Sequence, residues 1–247
     1  MKEIFFKTKD DVTIAANHFD NGFEEVVLII PGWFMTKDSK AFLELSKELT
    51  QNYDVITMDC RGHGKSSGFY TFTAKELNDL EPVITFAKKR YKKVYLMGFS
   101  LGGALAILEG ALKNDVDRII AVSAPCDFNK IENQMWHPNA WIPTFKKCEL
   151  KRWFSVRPSL IVHKKVKPVD VIENLRTPVL FMAGGRDVTV KPWHTKLLYE
   201  KAVCEKEFRL FKNSIHAEDI FLADKQKFIE TCKSWLNSET TPLTPNI

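Results

Sequence analysis

The sequence has few cysteines and no long hydrophobic run. None of its apolar runs approaches the roughly 20 residues that a membrane-spanning helix needs. Its start, Met1 to Lys7, lacks the apolar core and small-residue cleavage site of a signal peptide. The five cysteines are scattered and include no CxxC pair, which argues against both a disulfide framework and a zinc site. We therefore expect a cytoplasmic protein with reduced thiols, no metal and no integral membrane segment.

Strong charge of either sign is also missing, because the formal net charge is only +5. The excess lies between Cys126 and Asp170, where nine Lys or Arg residues accompany four Asp or Glu residues. No recognised nucleic-acid-binding motif accompanies this basic segment, so we expect no nucleic-acid partner. A solvated outer face is the simpler interpretation of the charge, and attraction of an anionic substrate is the alternative.

Apolar runs typical of buried strands alternate with segments of helical spacing along most of the chain. This alternation predicts a parallel sheet covered by helices on both faces, with chemistry at the carboxyl ends of the strands. The strands are predicted at 3–8, 12–19, 25–30, 55–58, 94–97, 116–123, 178–183 and 207–211, and the helices at 39–52, 73–91, 103–108, 191–202 and 219–236. The rhythm stops over 125–170, which we interpret as an insertion between core segments 1–124 and 171–236. The tail, 237–247, is expected to be disordered.

Residues 98–102, Gly-Phe-Ser-Leu-Gly, join a predicted strand to a predicted helix. A serine with a glycine two residues away on each side, in this context, is typical of a nucleophile elbow. The tight reversal strains Ser100 and presents its hydroxyl beyond the sheet edge. Side chains at 98 and 102 would collide where strand and helix cross. The Leu101 N–H, at the helix start, is free to meet a developing negative charge.

With this motif and the Asp-x-Arg-Gly-His-Gly-x-Ser stretch at 59–66, the chain resembles the α/β-hydrolase fold family over residues 1–236. The resemblance implies a mostly parallel central sheet of about eight strands, helices on both faces and a short cap at 125–170. Relatives that open epoxides or displace halide carry an aspartate at the elbow, so Ser100 argues against those activities. The nearest branch contains esterases, monoacylglycerol lipases and serine-aminopeptidase-like enzymes. The 59–66 stretch is expected to be a structural loop below the site.

In this family the nucleophile is followed along the chain by an acid and then a histidine, an order that Ser100, Asp187 and His216 match. Serine is a weak nucleophile at neutral pH, and histidine can take its proton and return it to the leaving group. A carboxylate fixes the imidazole tautomer and stabilises the imidazolium. Asp127 also follows a predicted strand and is the alternative acid.

The resemblance places a second oxyanion donor in the loop after the strand ending at Ile30. Members of the family usually have His-Gly-X there, whereas this chain has Pro31 before the glycine. The backbone N–H of Trp33 is then the expected donor, together with that of Leu101. In the family the side chain of that histidine braces the loop, and Pro31 cannot do so. The sequence therefore leaves the geometry of this loop undetermined.

The inserted segment holds three of the six tryptophans. Trp136, Trp141 and Trp153 either attach the cap to the core or line an apolar pocket together with Trp33 and Phe34, to which Trp193 would contribute.

Taken together, these features predict a cofactor-independent serine hydrolase that cleaves a small-molecule carboxylic ester through an acyl-enzyme. Thioester hydrolysis or acyl transfer on the same triad is the alternative within enzymes. A non-catalytic ligand-binding member of the fold is the alternative outside them. The identity of the ester and the oligomeric state remain open at this stage.

Overall fold

The computed structural model describes residues 1–132, 155–161 and 163–238. These ranges contain eight strands, which are β1 Lys2–Lys7, β2 Thr13–Phe19, β3 Glu25–Ile30, β4 Asp54–Met58, β5 Lys93–Phe99, β6 Arg118–Val122, β7 Val179–Gly184 and β8 Lys206–Phe211. They form one sheet with the order β1-β2-β4-β3-β5-β6-β7-β8. The first two strands form an antiparallel hairpin at one edge, and β3 to β8 run parallel. This is the predicted α/β architecture.

Helices cover both faces of the sheet and enclose two apolar cores. In β3, Val26 and Leu28 point into one core and Val27 and Ile29 into the other, as the two-residue period of a strand requires. The helices are α1 Lys40–Leu49, α2 Leu77–Arg90, α3 Leu101–Lys113, α4 Pro168–Val171, α5 Pro192–Lys201, α6 Glu218–Ala223 and α7 Lys225–Leu236. The first core includes apolar residues of α2, α3 and α5, and the second those of α1, α6 and α7.

Two helix predictions differ from the structure. The predicted closing helix over 219–236 is wrong as a single element, because Asp224 has non-helical backbone (φ −154°, ψ 84°) and starts a new helix by accepting the Lys227 N–H at 3.1 Å. The helix predicted from 73 begins at Leu77 instead. Phe72 and Thr73 have φ of 55° and 78°, which no right-handed helix accommodates.

The described part of the predicted cap is tied to the core, and its two ends are joined to each other. The Tyr70 N–H donates to the carbonyl of Arg157 at 2.8 Å, and the Ser159 N–H donates back to the carbonyl of Tyr70 at 2.8 Å. At the base, the Val169 N–H donates to the carbonyl of Cys126 at 3.1 Å. The cap boundaries themselves stay a prediction. Within the described ranges, no helix combines the length and apolar character needed to cross a membrane.

Candidate active site

Ser100 lies in a one-residue turn between β5 and α3. Its φ of 53° and ψ of −119° are strained for a residue with a side chain. The neighbouring glycines make this turn possible. A Cβ at Gly98 would lie 2.2 Å from the carbonyl oxygen of Gly102, and a Cβ at Gly102 would lie 2.1 Å from a carbonyl oxygen of β3. Ser100 is therefore held at the carboxyl edge of the sheet by close backbone packing.

The loops that follow β7 and β8 touch each other, which brings Asp187 and His216 together. A Cβ at Gly184 would lie 1.9 Å from the carbonyl oxygen of Ile215, so the absence of a side chain permits the approach. Oδ1 of Asp187 accepts the backbone N–H groups two and three residues further on, both at 2.9 Å. Its Oδ2 lies 2.7 Å from Nδ1 of His216. The buried carboxylate is thus held in one orientation from both sides.

His216 connects this carboxylate to the serine. Its Nε2 lies 2.9 Å from Oγ of Ser100. With Asp187 ionised, Nδ1 carries the proton and Nε2 is left to accept the serine hydroxyl. Burial lowers the pKa of His216, but the charge and hydrogen bond of Asp187, together with the nearby charges of Glu218 and Asp219, outweigh it, so the pKa is raised above its ordinary value. The structure brings all three predicted side chains into one hydrogen-bonded series.

Asp127, the alternative acid, has other partners. Its Oδ2 lies 2.9 Å from Nζ of Lys167, and its Oδ1 accepts the N–H of Asn129 at 3.0 Å. Burial opposes ionisation, yet these two partners hold the pKa of Asp127 below its ordinary value. In the described part of the chain, no hydrogen bond joins it to His216. The Asp127–Lys167 ion pair instead connects the two ends of the predicted cap.

The loop after β3 passes directly over the serine. A Cβ at Gly32 would lie 2.9 Å from Cβ of Ser100, so a larger residue would force the loop away. The backbone N–H of Trp33, the next residue, has no acceptor among the described residues. Leu101 opens α3, where the first N–H groups have no acceptor within the helix. The two predicted oxyanion donors therefore lie in the segments closest to Ser100.

His63 braces this loop, a role that the sequence analysis did not assign. Its Nε2 accepts the N–H of Phe34 at 3.2 Å, and its Nδ1 lies 3.3 Å from the carbonyl oxygen of Arg61. The buried Asp59 adds a second support, because its Oδ1 accepts the N–H of Lys37 at 2.7 Å. The 59–66 stretch thus supports the loop in which Pro31 replaces the family's histidine. His63 in that stretch is the sequence feature from which this bracing role could have been predicted.

Ser123 is a second residue that the sequence analysis missed. Its hydroxyl accepts the N–H of Ala217 at 3.2 Å, which ties the loop carrying His216 to the end of β6. Both residues of this contact have positive φ, 49° for Ser123 and 52° for Ala217. No sequence pattern marks Ser123, because its partner lies 94 positions away.

Of the predicted pocket residues, Phe34 lies beside Trp33, with 5.1 Å between their ring centroids. Trp136, Trp141 and Trp153 lie outside the described residues. Trp193 is partly exposed and stacks on a neighbouring histidine at 3.8 Å, with its indole N–H donating to a glutamate at 2.6 Å.

A separate cluster of possible metal ligands lies at the other end of the strands. Ligand atoms of His18, Asp20 and Asp54 are within 4.8 Å of one another. Each is already engaged: Nε2 of His18 lies 2.6 Å from the hydroxyl of Tyr91, which donates to Asp54 at 2.9 Å, and Asp20 pairs with an arginine. Asp54 opens β4, whereas Ser100 follows the end of the parallel strand β5. The cluster is therefore not part of this site.

Known proteins resemble this chain in both sequence and structure. It is 27% identical over 180 residues to the alpha/beta hydrolase domain-containing protein WAV2 of Arabidopsis thaliana, covering 67% of this chain and 54% of that protein. It is 26% identical over 199 residues to the uncharacterized protein YqkD of Bacillus subtilis, covering 77% of this chain and 64% of that protein. The chain thus spans between half and two-thirds of these curated relatives. The esterase Pf2001 of Pyrococcus furiosus superposes with a TM-score of 0.80 at 22% identity, covering 97% of this chain and 93% of that one.

The structural match shows the fold, and the sequence match shows the family. A family model described as the alpha/beta hydrolase family matches residues 26–214. That span begins in β3 and includes the elbow and Asp187, and it ends just before His216. The chain belongs to the alpha/beta hydrolase family.

Proposed function

We propose that this protein is a serine hydrolase that cleaves carboxylic esters through an acyl-enzyme intermediate. The observation that carries the proposal is the hydrogen-bonded series from Ser100 through His216 to Asp187. The loop above Ser100 adds the backbone N–H of Trp33, which has no acceptor among the described residues and can donate to a developing negative charge. Nucleophile, base, orienting acid and oxyanion donors are the parts that acyl transfer to serine requires.

In the first half of the reaction, Oγ of Ser100 bonds to the acyl carbon while its proton passes to Nε2 of His216. The carbonyl electron pair moves onto oxygen, where the N–H groups of Trp33 and Leu101 stabilise the charge. When that pair returns, the bond to the alcohol oxygen breaks, and His216 gives its proton to the departing alcohol. The ester is thereby divided into a free alcohol and an acylated serine.

Water completes the cycle by the same steps. His216 takes a proton from the water as its oxygen bonds to the acyl carbon, and the serine oxygen leaves with that proton. The charge of Asp187 stabilises the imidazolium in both halves, which is consistent with the raised pKa of His216. The complete cycle consumes one ester and one water, releases an alcohol and a carboxylic acid, and regenerates Ser100 and His216.

The test is Ser100→Ala, assayed with a p-nitrophenyl ester and with a fluorophosphonate probe. We expect the wild type to turn over the ester and to be labelled at one serine, and the variant to lose both. Ser46→Ala is the matched control, because this buried serine lies in α1 and bonds to Thr57 in the sheet. Thermal melting verifies that each variant is folded.

Two outcomes would contradict the proposal. Ester turnover retained by well-folded Ser100→Ala would place the nucleophile elsewhere. A wild type that binds esters but neither turns them over nor reacts with the fluorophosphonate would be a non-catalytic binding protein. Product analysis with a competing alcohol distinguishes hydrolysis from acyl transfer, because transfer yields a new ester in place of the acid.

A further inference from the structure

Lys165 reaches from the end of the predicted cap toward the surroundings of the nucleophile. Its Nζ lies 5.2 Å from the ring centroid of Phe72 and 6.0 Å from that of Phe128. The Phe72 centroid lies in turn 6.1 Å from that of Trp33, whose backbone belongs to the loop over Ser100. Two neighbouring aromatic side chains therefore connect this ammonium group to the candidate active site.

The charge of Lys165 has no carboxylate partner among the described residues, whereas Lys167, two positions on, pairs with Asp127. Burial lowers the pKa of Lys165, and the charge of Glu76 only partly opposes it. Glu76 is itself committed to Thr71, whose N–H and hydroxyl donate to its carboxylate at 2.5 and 2.8 Å. A half-buried cation in this position is unusual, because lysines that lose water are normally paired.

Two further donors also lack partners, one on Trp33, whose ring neighbours Phe72, and one on Thr73, the residue that follows Phe72. Nε1 of Trp33 and Oγ1 of Thr73 are buried and have no hydrogen-bond partner in the described chain. Thr73 is 3% exposed, and both it and Phe72 have positive φ. Folded proteins leave few buried polar atoms unpaired, and strained backbone concentrates at ligand sites. A cation over the Phe72 ring, an indole N–H on the neighbouring ring and a hydroxyl on the next residue together fit an anion with several acceptor oxygens.

We propose that Lys165 binds a carboxylate carried by the ester substrate. This inference rests on the proposed esterase activity and names its substrate class: esters of small molecules that bear a second, ionised carboxyl group. The ester lies at Ser100 while the free carboxylate lies at the Lys165 ammonium, with the Trp33 indole and Thr73 hydroxyl available as neutral donors. The Phe72 ring between them contacts the hydrocarbon part of the substrate.

The test compares pairs of substrates of nearly equal size in which a carboxylate replaces a neutral carboxamide. On the acyl side the pair is p-nitrophenyl hemiglutarate and the p-nitrophenyl ester of glutaramic acid. On the alcohol side it is 4-carboxyphenyl acetate and 4-carbamoylphenyl acetate. We expect the wild type to have the higher kcat/KM for the carboxylate member of at least one pair. Lys165→Met, whose unbranched chain still covers Phe72, should reduce that preference about tenfold or more, mainly through KM, because a charge-assisted hydrogen bond is lost.

Lys164→Met is the matched control, because Lys164 is exposed and its replacement removes the same charge from the adjacent position. It should leave the preference nearly unchanged, and Lys165→Arg should retain most of it. Turnover of the neutral esters should be similar in the wild type and in Lys164→Met. If Lys165→Met and Lys164→Met lost the preference for the carboxylate substrate equally, binding at Lys165 would be overturned. Such a result would indicate attraction by the overall positive charge of the predicted cap. Equal kcat/KM within both pairs in the wild type would also overturn the inference.

A binding measurement separates this inference from the proposed activity. Ser100→Ala, titrated calorimetrically with p-nitrophenyl hemiglutarate and with 4-carboxyphenyl acetate, should bind at least one of them, and Lys165→Met in the same background should weaken that binding. Such binding together with an unreactive wild-type Ser100 would refute only the esterase. Hydrolysis of neutral esters with no carboxylate binding in this titration would refute only the role of Lys165.

Discussion

Asp187→Asn is the most informative perturbation of the candidate triad, because the structure determines which way the new amide faces. Oδ1 of Asp187 accepts two backbone N–H groups at 2.9 Å, and Oδ2 faces Nδ1 of His216 at 2.7 Å. An asparagine keeps both backbone bonds only if its oxygen takes the Oδ1 position. The flipped amide would leave two N–H groups unpaired, at a cost of roughly 1–3 kcal/mol each. Its NH₂ group must therefore face His216.

This orientation reverses the roles of the two imidazole nitrogens. Nδ1 has to accept from the amide, so the proton moves to Nε2, which can no longer accept the hydroxyl of Ser100. The charge that stabilises the imidazolium is lost as well. In a triad protease the equivalent change lowers kcat about 10⁴-fold, which is about 5 kcal/mol of transition-state stabilisation. We expect a loss of this order with little change in KM.

Asp127→Asn is the matched control, because it removes a carboxylate of the same type that also follows a strand. Its loss weakens the ion pair with Lys167 at the base of the predicted cap, so we expect at most a severalfold change in kcat. The assay is kcat and KM for a p-nitrophenyl ester, with thermal melting of each variant. A deep loss in Asp127→Asn and a shallow one in Asp187→Asn would refute the assignment.

Two further predictions concern pH and stability. The base acts when neutral and the pKa of His216 is raised, so kcat/KM should increase with pH through a midpoint above 6.5, and in Asp187→Asn any residual activity should have a lower midpoint. A wild-type midpoint below 6.5 in the pH–rate profile would contradict this. Asp224→Ala removes the side chain that accepts the Lys227 N–H at the start of α7. It should lower the free energy of unfolding by about 1 kcal/mol without changing kcat. Denaturant unfolding measures this change, and an unchanged midpoint would show that the Asp224 hydrogen bond does not contribute to stability.

The strained turn at Ser100, between a strand and a helix, could be predicted from the sequence because its surroundings are local. The strained turn and the two glycines that permit it occupy five consecutive positions, and the preceding strand and following helix are recognisable from their apolar patterns. The alternation of strands and helices predicted the parallel sheet in the same way, because each element's hydrophobic period reflects the surfaces that it buries. The prediction was wrong at Asp224, where a single capping residue divides an otherwise continuous helical pattern.

The contacts around Ser100 depend on residues that are far apart in the chain. Asp127 and Asp187 both follow predicted strands, and the sequence analysis assigned Asp187 as the acid with Asp127 as the alternative. Only the close packing of Gly184 against the loop of His216 places Asp187 beside the imidazole. The same holds for His63, which braces a loop about 30 positions away. Local sequence determines which backbone conformation a segment can adopt, whereas side-chain partners across the sheet edge depend on how the strands are ordered and packed.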